Sequence, residues 1–132
     1  EQKVQEISLN EFRKLNEIDI LFIDSSHVLK TASDLHYILF EILPVLNIGV
    51  YIHFHDIFYP FEYPEKWILG DRFSWNEIYA LRAFLMYNNC FEITLFNTAL
   101  QQKYEEWFKN NMPLCLKKGK TVAGSIWIRK VT

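Results

Sequence analysis

Short apolar runs typical of buried strands alternate along the chain with longer stretches that have helical spacing. Ile18 to Asp24 (IDILFID) and Val50 to Phe54 lack polar alternation, which indicates strands buried on both faces of a parallel sheet. Phe91 to Phe96 predicts a third strand, and Ser125 to Val131 (SIWIRKV), with clear alternation, predicts the last one.

Between the first two strands, the pattern predicts a helix over Thr31 to Leu46, where apolar residues recur three and four positions apart. Thr31 and Asp34 form a capping box at its start. Pro44 should distort the last turn, and Gly49 is a stop just beyond it.

Two further helices and a turn follow the second strand. Ser74 to Glu77 (SWNE) is a capping box that opens a helix, and Asn88-Asn89 ends it because Asn tolerates the left-handed conformation. Thr98 with Gln101 caps a shorter helix. Polar Lys117 to Lys120 predicts a turn or flexible loop.

This order of elements predicts an α/β fold, a doubly wound sheet with right-handed crossovers. Three parallel strands are flanked by helices. The last strand, joined without a long crossover helix, is expected to run antiparallel at one side of the sheet.

Composition limits the class of protein. The 132 residues fit one domain, and a chain that is 50% apolar and 17% aromatic is not a disordered tail. A net charge of −2 without a basic stripe argues against nucleic acid and anionic membrane as partners.

The sequence also indicates the cellular compartment of the protein. No apolar run approaches the roughly 20 residues needed to span a bilayer, and no signal-peptide core opens the chain. Cys90 and Cys115 match no metal-ligand spacing. We expect a cytoplasmic protein. Because the chain opens at Glu1 without an initiator Met, we expect a trimmed expression product, a processed product or a fragment.

Polar residues follow the first two strands at the point where each ends. The first strand ends in Asp24-Ser25-Ser26-His27 and the second in His53-Phe54-His55-Asp56. Ligands of open α/β sheets bind outside the carboxyl ends of the strands, where Asp24, His27, His55 and Asp56 would meet. Carboxylates with imidazoles predict a divalent-metal site with a base beside it.

Each of these residues also has a structural interpretation. Asp24 could cap the turn after its strand, and His53 could be a core histidine. His55 and Asp56 are adjacent and face opposite sides of a continuous strand. They converge only if the strand breaks at Phe54.

The absence of several sequence motifs excludes further classes of reaction. The chain contains neither GxGxxG nor GxxxxGK[ST], so it has no phosphate-cradling loop. Ser25 and Ser26 lack the flanking glycines of a nucleophile elbow, which argues against serine-dependent acyl transfer. A metal-dependent hydrolase that uses the His/Asp cluster is one alternative.

An irregular aromatic stretch from Phe58 to Trp67 (FYPFEYPEKW) leaves the same edge of the sheet. Such a loop is well placed as a substrate wall or lid, with Tyr59, Tyr63 and Trp67 as substrate-loop residues. Alternatively, its rings form a satellite core over the edge of the sheet.

Three segments of the chain read LFIDSSHVLKTASDLHYILFEILPVLNIGVYIHFHDIFYPFEYPEKW, WNEIYALRAFLMYNNCFEITLFN and GSIWIRKV. These segments resemble the class I S-adenosylmethionine-dependent methyltransferases of the methyltransferase-24 family. Together they cover about residues 4 to 131, nearly the whole chain.

The resemblance implies a seven-stranded Rossmann-like sheet with a terminal hairpin-like reversal. Residues 1–132 would then be a single partial domain, the carboxy-terminal half with the fourth to seventh strands. The glycine-rich loop that holds S-adenosylmethionine would lie upstream, so we expect this chain alone to be inactive.

The resemblance also assigns roles to individual residues. Metal-dependent relatives have an Asp after the fourth strand and an acidic pair after the fifth, which correspond to Asp24 and to His55-Asp56. The first residue of that pair is His here, where some relatives have Glu. His27 corresponds to the base of some sugar O-methylating relatives, and Mg²⁺ or another divalent metal would stabilise the developing alkoxide.

We therefore expect part of a methyltransferase acting on a sugar or another small hydroxylated molecule. A different hypothesis is a non-catalytic fragment that self-associates. If the first three strands are missing, the IDILFID strand becomes an apolar sheet edge, and such edges invite pairing. A dimer would form through this edge or over the bare face of the sheet.

Overall fold

The computed structural model describes residues 2–116 and 124–132, so the turn predicted at Lys117 to Lys120 lies outside the described residues. In chain order the elements are a 3₁₀ turn at Val4–Glu6, α1 (Leu9–Phe12), β1 (Ile20–Ile23), α2 (Asp34–Tyr37), a π-helical turn at Ile38–Ile42, α3 (Leu43–Val45), β2 (Tyr51–His55), a π-helical turn at Lys66–Gly70, α4 (Glu77–Leu85), β3 (Phe91–Phe96), α5 (Asn97–Lys103), α6 (Glu105–Asn111), a 3₁₀ turn at Pro113–Leu116 and β4 (Ser125–Lys130). Among these elements, no helix is long and apolar enough to cross a membrane.

Within the described residues, four strands form one mixed sheet in the order β1-β2-β4-β3. β1 and β2 are parallel, and β4 runs antiparallel to both β2 and β3. The antiparallel direction of β4 was predicted, but its position at one side was wrong. β4 lies between β2 and β3, where its Ile126 and Ile128 are fully buried.

One face of the sheet packs on the helices that follow β1 and β2. The fully buried residues of this core include Ile52, Phe54, Ile126, Ile128, Leu35, Ile42, Ile78 and Leu81. On the opposite face, Ile20 and Phe22 of β1 are 54% and 60% exposed. The expectation that both faces of this strand are buried is therefore wrong, because the core contacts only alternate residues of β1.

The helical segment after β1 begins at Asp34, not at Thr31. The Ser33 hydroxyl caps it by accepting a hydrogen bond from the His36 N–H at 3.1 Å. The Asp34 carboxylate instead accepts from the backbone N–H of Ser26 at 2.7 Å. The predicted Thr31–Asp34 capping box is thus replaced by a cap two residues later.

The end of this segment departs from α geometry, as Pro44 predicts. A π-helical turn, closed by the Leu43 N–H donating to the Ile38 carbonyl, precedes the proline, which has no N–H to donate. Lys130 Nζ donates to the Pro44 carbonyl at 2.7 Å. Gly49 lies beyond the helix with φ of +91°, the left-handed region expected of a glycine stop.

The later helices differ from prediction at their ends. α4 has Asn76, not Ser74, at its N-cap and ends at Leu85, before the predicted Asn88-Asn89. The predicted third helix is two helices that meet at Tyr104.

Candidate active site at the carboxyl end of the first strand

The loop after β1 carries His27 into a nearly closed position against α4. His27 is 6% exposed and Glu77, the first residue of α4, is 1% exposed. The Nδ1 atom of His27 lies 2.5 Å from Oε2 of Glu77. A buried imidazole and a buried carboxylate therefore form one hydrogen-bonded pair.

Backbone contacts hold the loop in register with the start of α4. The N–H groups of Asn76 and Glu77 both donate to the His27 carbonyl, at 3.0 and 3.1 Å. The Asn76 side chain accepts from the Leu29 N–H at 2.6 Å and donates to the Leu29 carbonyl at 3.2 Å. These bonds support the left-handed backbone of His27, whose φ is +58°.

Both oxygens of Glu77 are occupied. The Ser25 hydroxyl donates to Oε1 at 3.0 Å and accepts from the His27 N–H at 2.9 Å. The capping box predicted at Ser74 to Glu77 is wrong, because the Glu77 carboxylate binds Ser25 and His27 rather than turning back to its own helix terminus. Glu77 is the main residue of this cluster that the sequence prediction missed.

The other ring nitrogen of His27 faces two carboxylates. Nε2 lies 3.5 Å from Oδ1 of Asp24 and 3.8 Å from Oδ2 of Asp56. β2 continues through His55, so the strand does not break at Phe54, which was the condition stated for His55 and Asp56 to converge. Asp56 reaches His27 because its own φ of +57° turns the chain directly after the strand.

His55 contacts this cluster through Asp56. Its Nδ1 lies 3.1 Å from Oδ1 of Asp56, and its side chain is nearly half exposed. Asp24, His27 and Asp56 are thus brought together as predicted, with His55 at the far side of Asp56. Within the described part of the chain, no group of three or more His, Cys, Asp or Glu side chains is arranged to hold a metal ion.

The pKa of His27 reflects opposing influences. Burial lowers the pKa of the imidazole, whereas the hydrogen bond and the charge of Glu77 raise it, with Asp56 and Asp24 adding to the rise. The net direction is upward from the ordinary value of 6.5. His27 is therefore a stronger base than a free histidine.

An aromatic cluster covers the His27 ring. The Trp75 ring lies 4.1 Å from the imidazole, centre to centre, and stacks on Phe73 at 4.7 Å. Trp67 of the predicted substrate loop contacts Trp75 at 5.4 Å. Trp75 thus forms one wall of the site.

Neither of the other two substrate-loop residues packs on the His27 ring, although Tyr63 lies 5.9 Å from Trp75, centre to centre. Tyr63 is buried, and its hydroxyl accepts from the Ile78 N–H at 3.1 Å, so it supports the first turn of α4. Burial raises the pKa of this phenol. Tyr59 is half exposed and packs against Phe96 on β3.

His53 is 6% exposed on the opposite face of the sheet from the core. Its ring stacks on Phe22 at 4.3 Å and meets Trp127 edge-on at 4.7 Å. Burial, followed by the neighbouring His55, lowers its pKa. His53 is therefore buried as a core histidine would be, and its Nδ1 has no hydrogen-bond partner among the described residues.

A cavity of about 200 Å³ runs beside β1 and reaches the site. Asp24 and Ser25 line its polar end, and Val4, Phe12 and Ile38 line its apolar part. A small molecule in this cavity would contact residues that lie next to His27.

Comparison with protein-family models, curated proteins and solved structures finds no match for this chain.

Proposed function

We propose that the chain is part of an S-adenosylmethionine-dependent methyltransferase that methylates a hydroxyl of a small molecule or sugar, with His27 as general base. The observation that carries this proposal is the buried His27, bound through Nδ1 to Glu77 while Nε2 faces the carboxyl ends of β1 and β2. The resemblance of the DSSH and HFHD segments to the methyltransferase-24 family supplies the reaction class.

The base has a defined task in this reaction. The acceptor oxygen forms a bond to the methyl carbon as the carbon–sulfur bond breaks, and the sulfonium becomes a neutral thioether. The hydroxyl proton passes to Nε2 of His27. A positioned base contributes about 10²–10⁴-fold, and in-line placement of oxygen and methyl group supplies much of the rest.

The donor chemistry of the site also suits a divalent cation of the Mg²⁺ type. Asp24 and Asp56 would supply carboxylate oxygens, the ligands that Mg²⁺ prefers, and the remaining ligands would have to be water or substrate, because no three described His, Cys, Asp or Glu side chains are arranged to hold the ion. When bound, the cation would stabilise the negative charge that develops on the acceptor oxygen. The proton transfer to His27 does not depend on it.

Methyl transfer from labelled S-adenosylmethionine to a panel of hydroxylated and sugar acceptors, with and without Mg²⁺, tests this function. The resemblance places the cofactor-binding half outside this chain, so the assay uses the protein at its full natural length. His27→Ala should lower kcat by about 10²–10⁴-fold. His36→Ala, which alters an exposed histidine of α2, is the matched control and should leave kcat unchanged. Full turnover by His27→Ala would overturn the assignment.

A second candidate function is self-association without catalysis. Among the described strands β1 lies at the edge of the sheet, with Ile20 and Phe22 more than half exposed. Exposed apolar edge strands pair readily with another chain. We propose a homodimer through this edge as the corresponding assembly.

A further inference from the structure

We propose that Glu77 is the positioning residue of His27 and fixes which ring nitrogen carries the proton in the neutral imidazole. An ionised carboxylate can only accept hydrogen bonds. With Oε2 of Glu77 2.5 Å from Nδ1, the proton of neutral His27 lies on Nδ1. Nε2 then carries the lone pair and faces Asp24 and Asp56.

The Glu77 carboxylate is itself held in place. Ser25 donates to its second oxygen, and the backbone N–H of Glu77 donates to the carbonyl of His27. Glu77 thus binds His27 through both its side chain and its backbone. Rotating the carboxylate away would leave the Ser25 hydroxyl and the His27 ring without these partners in a nearly closed site, which is costly.

The position of Glu77 at a helix N-terminus suits a carboxylate. Glu77 is the first residue of α4, a helix of nine residues. Carboxylates are stabilised near helix N-termini by the helix dipole. A charged acceptor at this position can keep Nδ1 protonated without receiving a proton itself.

Trp75 limits the remaining freedom of the ring. Its side chain lies 4.1 Å from the imidazole, centre to centre, at 34° to its plane. The indole limits rotation of the imidazole out of its plane, and a half turn that restores this plane would break the bond to Glu77. Glu77 and Trp75 together therefore select one orientation of His27.

A purely structural role for Glu77 predicts a different result. If the carboxylate only joined the loop to α4, its replacement would lower stability without changing the proton position on His27. The tautomer of His27 separates the two roles, and it can be measured without any activity. Only the turnover measurement rests on the proposed function.

The test is ¹⁵N NMR of the His27 ring nitrogens in the 132-residue chain, at a pH where the imidazole is neutral. The native chain should show Nδ1 protonated and Nε2 unprotonated. Glu77→Gln, which removes the charge and keeps the shape, should give a mixture of tautomers or the reverse one. Asp34→Asn is the matched control, because the Asp34 carboxylate also binds this loop, through Ser26. It should leave the tautomer unchanged.

A native chain with Nε2 protonated, or a folded Glu77→Gln chain with the native tautomer, would overturn the proposal. If Glu77→Gln gives no dispersed spectrum, Glu77→Asp replaces it, since the shorter side chain withdraws the carboxylate from Nδ1. The tautomer should then become mixed, and an unchanged tautomer again overturns the proposal.

Turnover gives the second measurement, in the protein at its full natural length. Glu77→Gln should lower kcat by about 10²–10⁴-fold and leave KM unchanged, because a buried Glu77 does not contact substrate. An altered tautomer in a protein without methyl transfer would reject the proposed function and retain the role of Glu77. A native tautomer in Glu77→Gln would reject that role whatever the activity.

Discussion

His27 and His53 are equally buried, at 6% exposure, yet their pKa values move in opposite directions. Burial lowers the pKa of both imidazoles. Around His27, the hydrogen bond and the charge of Glu77, with two further carboxylates, outweigh that effect. Around His53, the neighbouring His55 adds to the lowering, and the charge of Asp24 with a backbone hydrogen bond raises the pKa by too little to reverse it. The charged neighbours, not the depth of burial, decide the direction.

His53 should make stability fall in acid. Its folded pKa lies below the ordinary value of 6.5, so the unfolded chain binds more protons as the pH falls below that value. The free energy of unfolding therefore decreases progressively as the pH falls below about 6.5. His53→Phe keeps a ring against Phe22 and removes this loss.

Urea unfolding of both chains, from about pH 8 to about pH 5, measures this effect. The native chain should lose stability relative to His53→Phe as the pH falls. His27, whose raised pKa gives stability below 6.5 that is lost at higher pH, contributes equally to both chains and cancels in the difference. Parallel pH profiles would contradict the expectation.

The sequence predicted the meeting of Asp24, His27 and Asp56, because the carboxyl ends of parallel strands share one edge of a sheet. It could not predict Glu77, because the run Ser74 to Glu77 fits a capping box equally well. Whether Glu77 caps its own helix or binds His27 depends on the tertiary structure, because the two residues are 50 positions apart along the chain. The burial of Tyr63 could not be predicted for a similar reason, since an aromatic loop pattern does not show which ring turns inward.

Among the connections between elements, the turn from α3 to β2 depends on the backbone of Gly49. Its N–H donates to the Lys130 carbonyl at 2.9 Å, and its carbonyl accepts from the Ile18 N–H at 3.1 Å. A Cβ at this position would lie 2.7 Å from Cγ and 3.1 Å from Cα of Glu17. This turn therefore ties β2 to the chain before β1 and to the end of β4, and it leaves no room for a side chain.

Gly49→Ala should lower the free energy of unfolding by about 1–3 kcal/mol, because the left-handed φ is strained for alanine and the Glu17 backbone is in contact. Gly70→Ala is the matched control, since its Cβ would meet only Lys66 Cγ at 3.6 Å, an ordinary contact. Chemical denaturation of both variants measures the difference. Equal midpoints for the two would show that the turn tolerates a side chain.

At the scale of the whole molecule, the sheet has one face in the core and another that is partly open. The sequence predicted the strands and the direction of β4, because apolar runs and connection lengths determine these features. It could not predict that β4 lies between β2 and β3. Alternation along Ser125 to Val131 shows which residues share a face, but it does not show which strands are neighbours.

Exposure at the β1 edge should lead to concentration-dependent dimers in sedimentation velocity. Phe22→Lys places a charge on this strand and should shift the chain to monomer. Met86→Lys, at an exposed apolar residue after α4, is the control and should leave the dimer intact. A native chain that stays monomeric at high concentration, or a Phe22→Lys chain that dimerises as the native chain does, would exclude this interface.

The bond between His27 and Glu77 also determines when this site can assemble during protein synthesis. Residue 77 leaves the ribosome well after residue 27, and the contact joins segments 50 residues apart. Closing so long a loop costs entropy before any bond is gained. Until α4 docks, the His27 ring has no Glu77 carboxylate to bind, so a nascent chain that already contains Asp24 and His27 still lacks the His27–Glu77 pair.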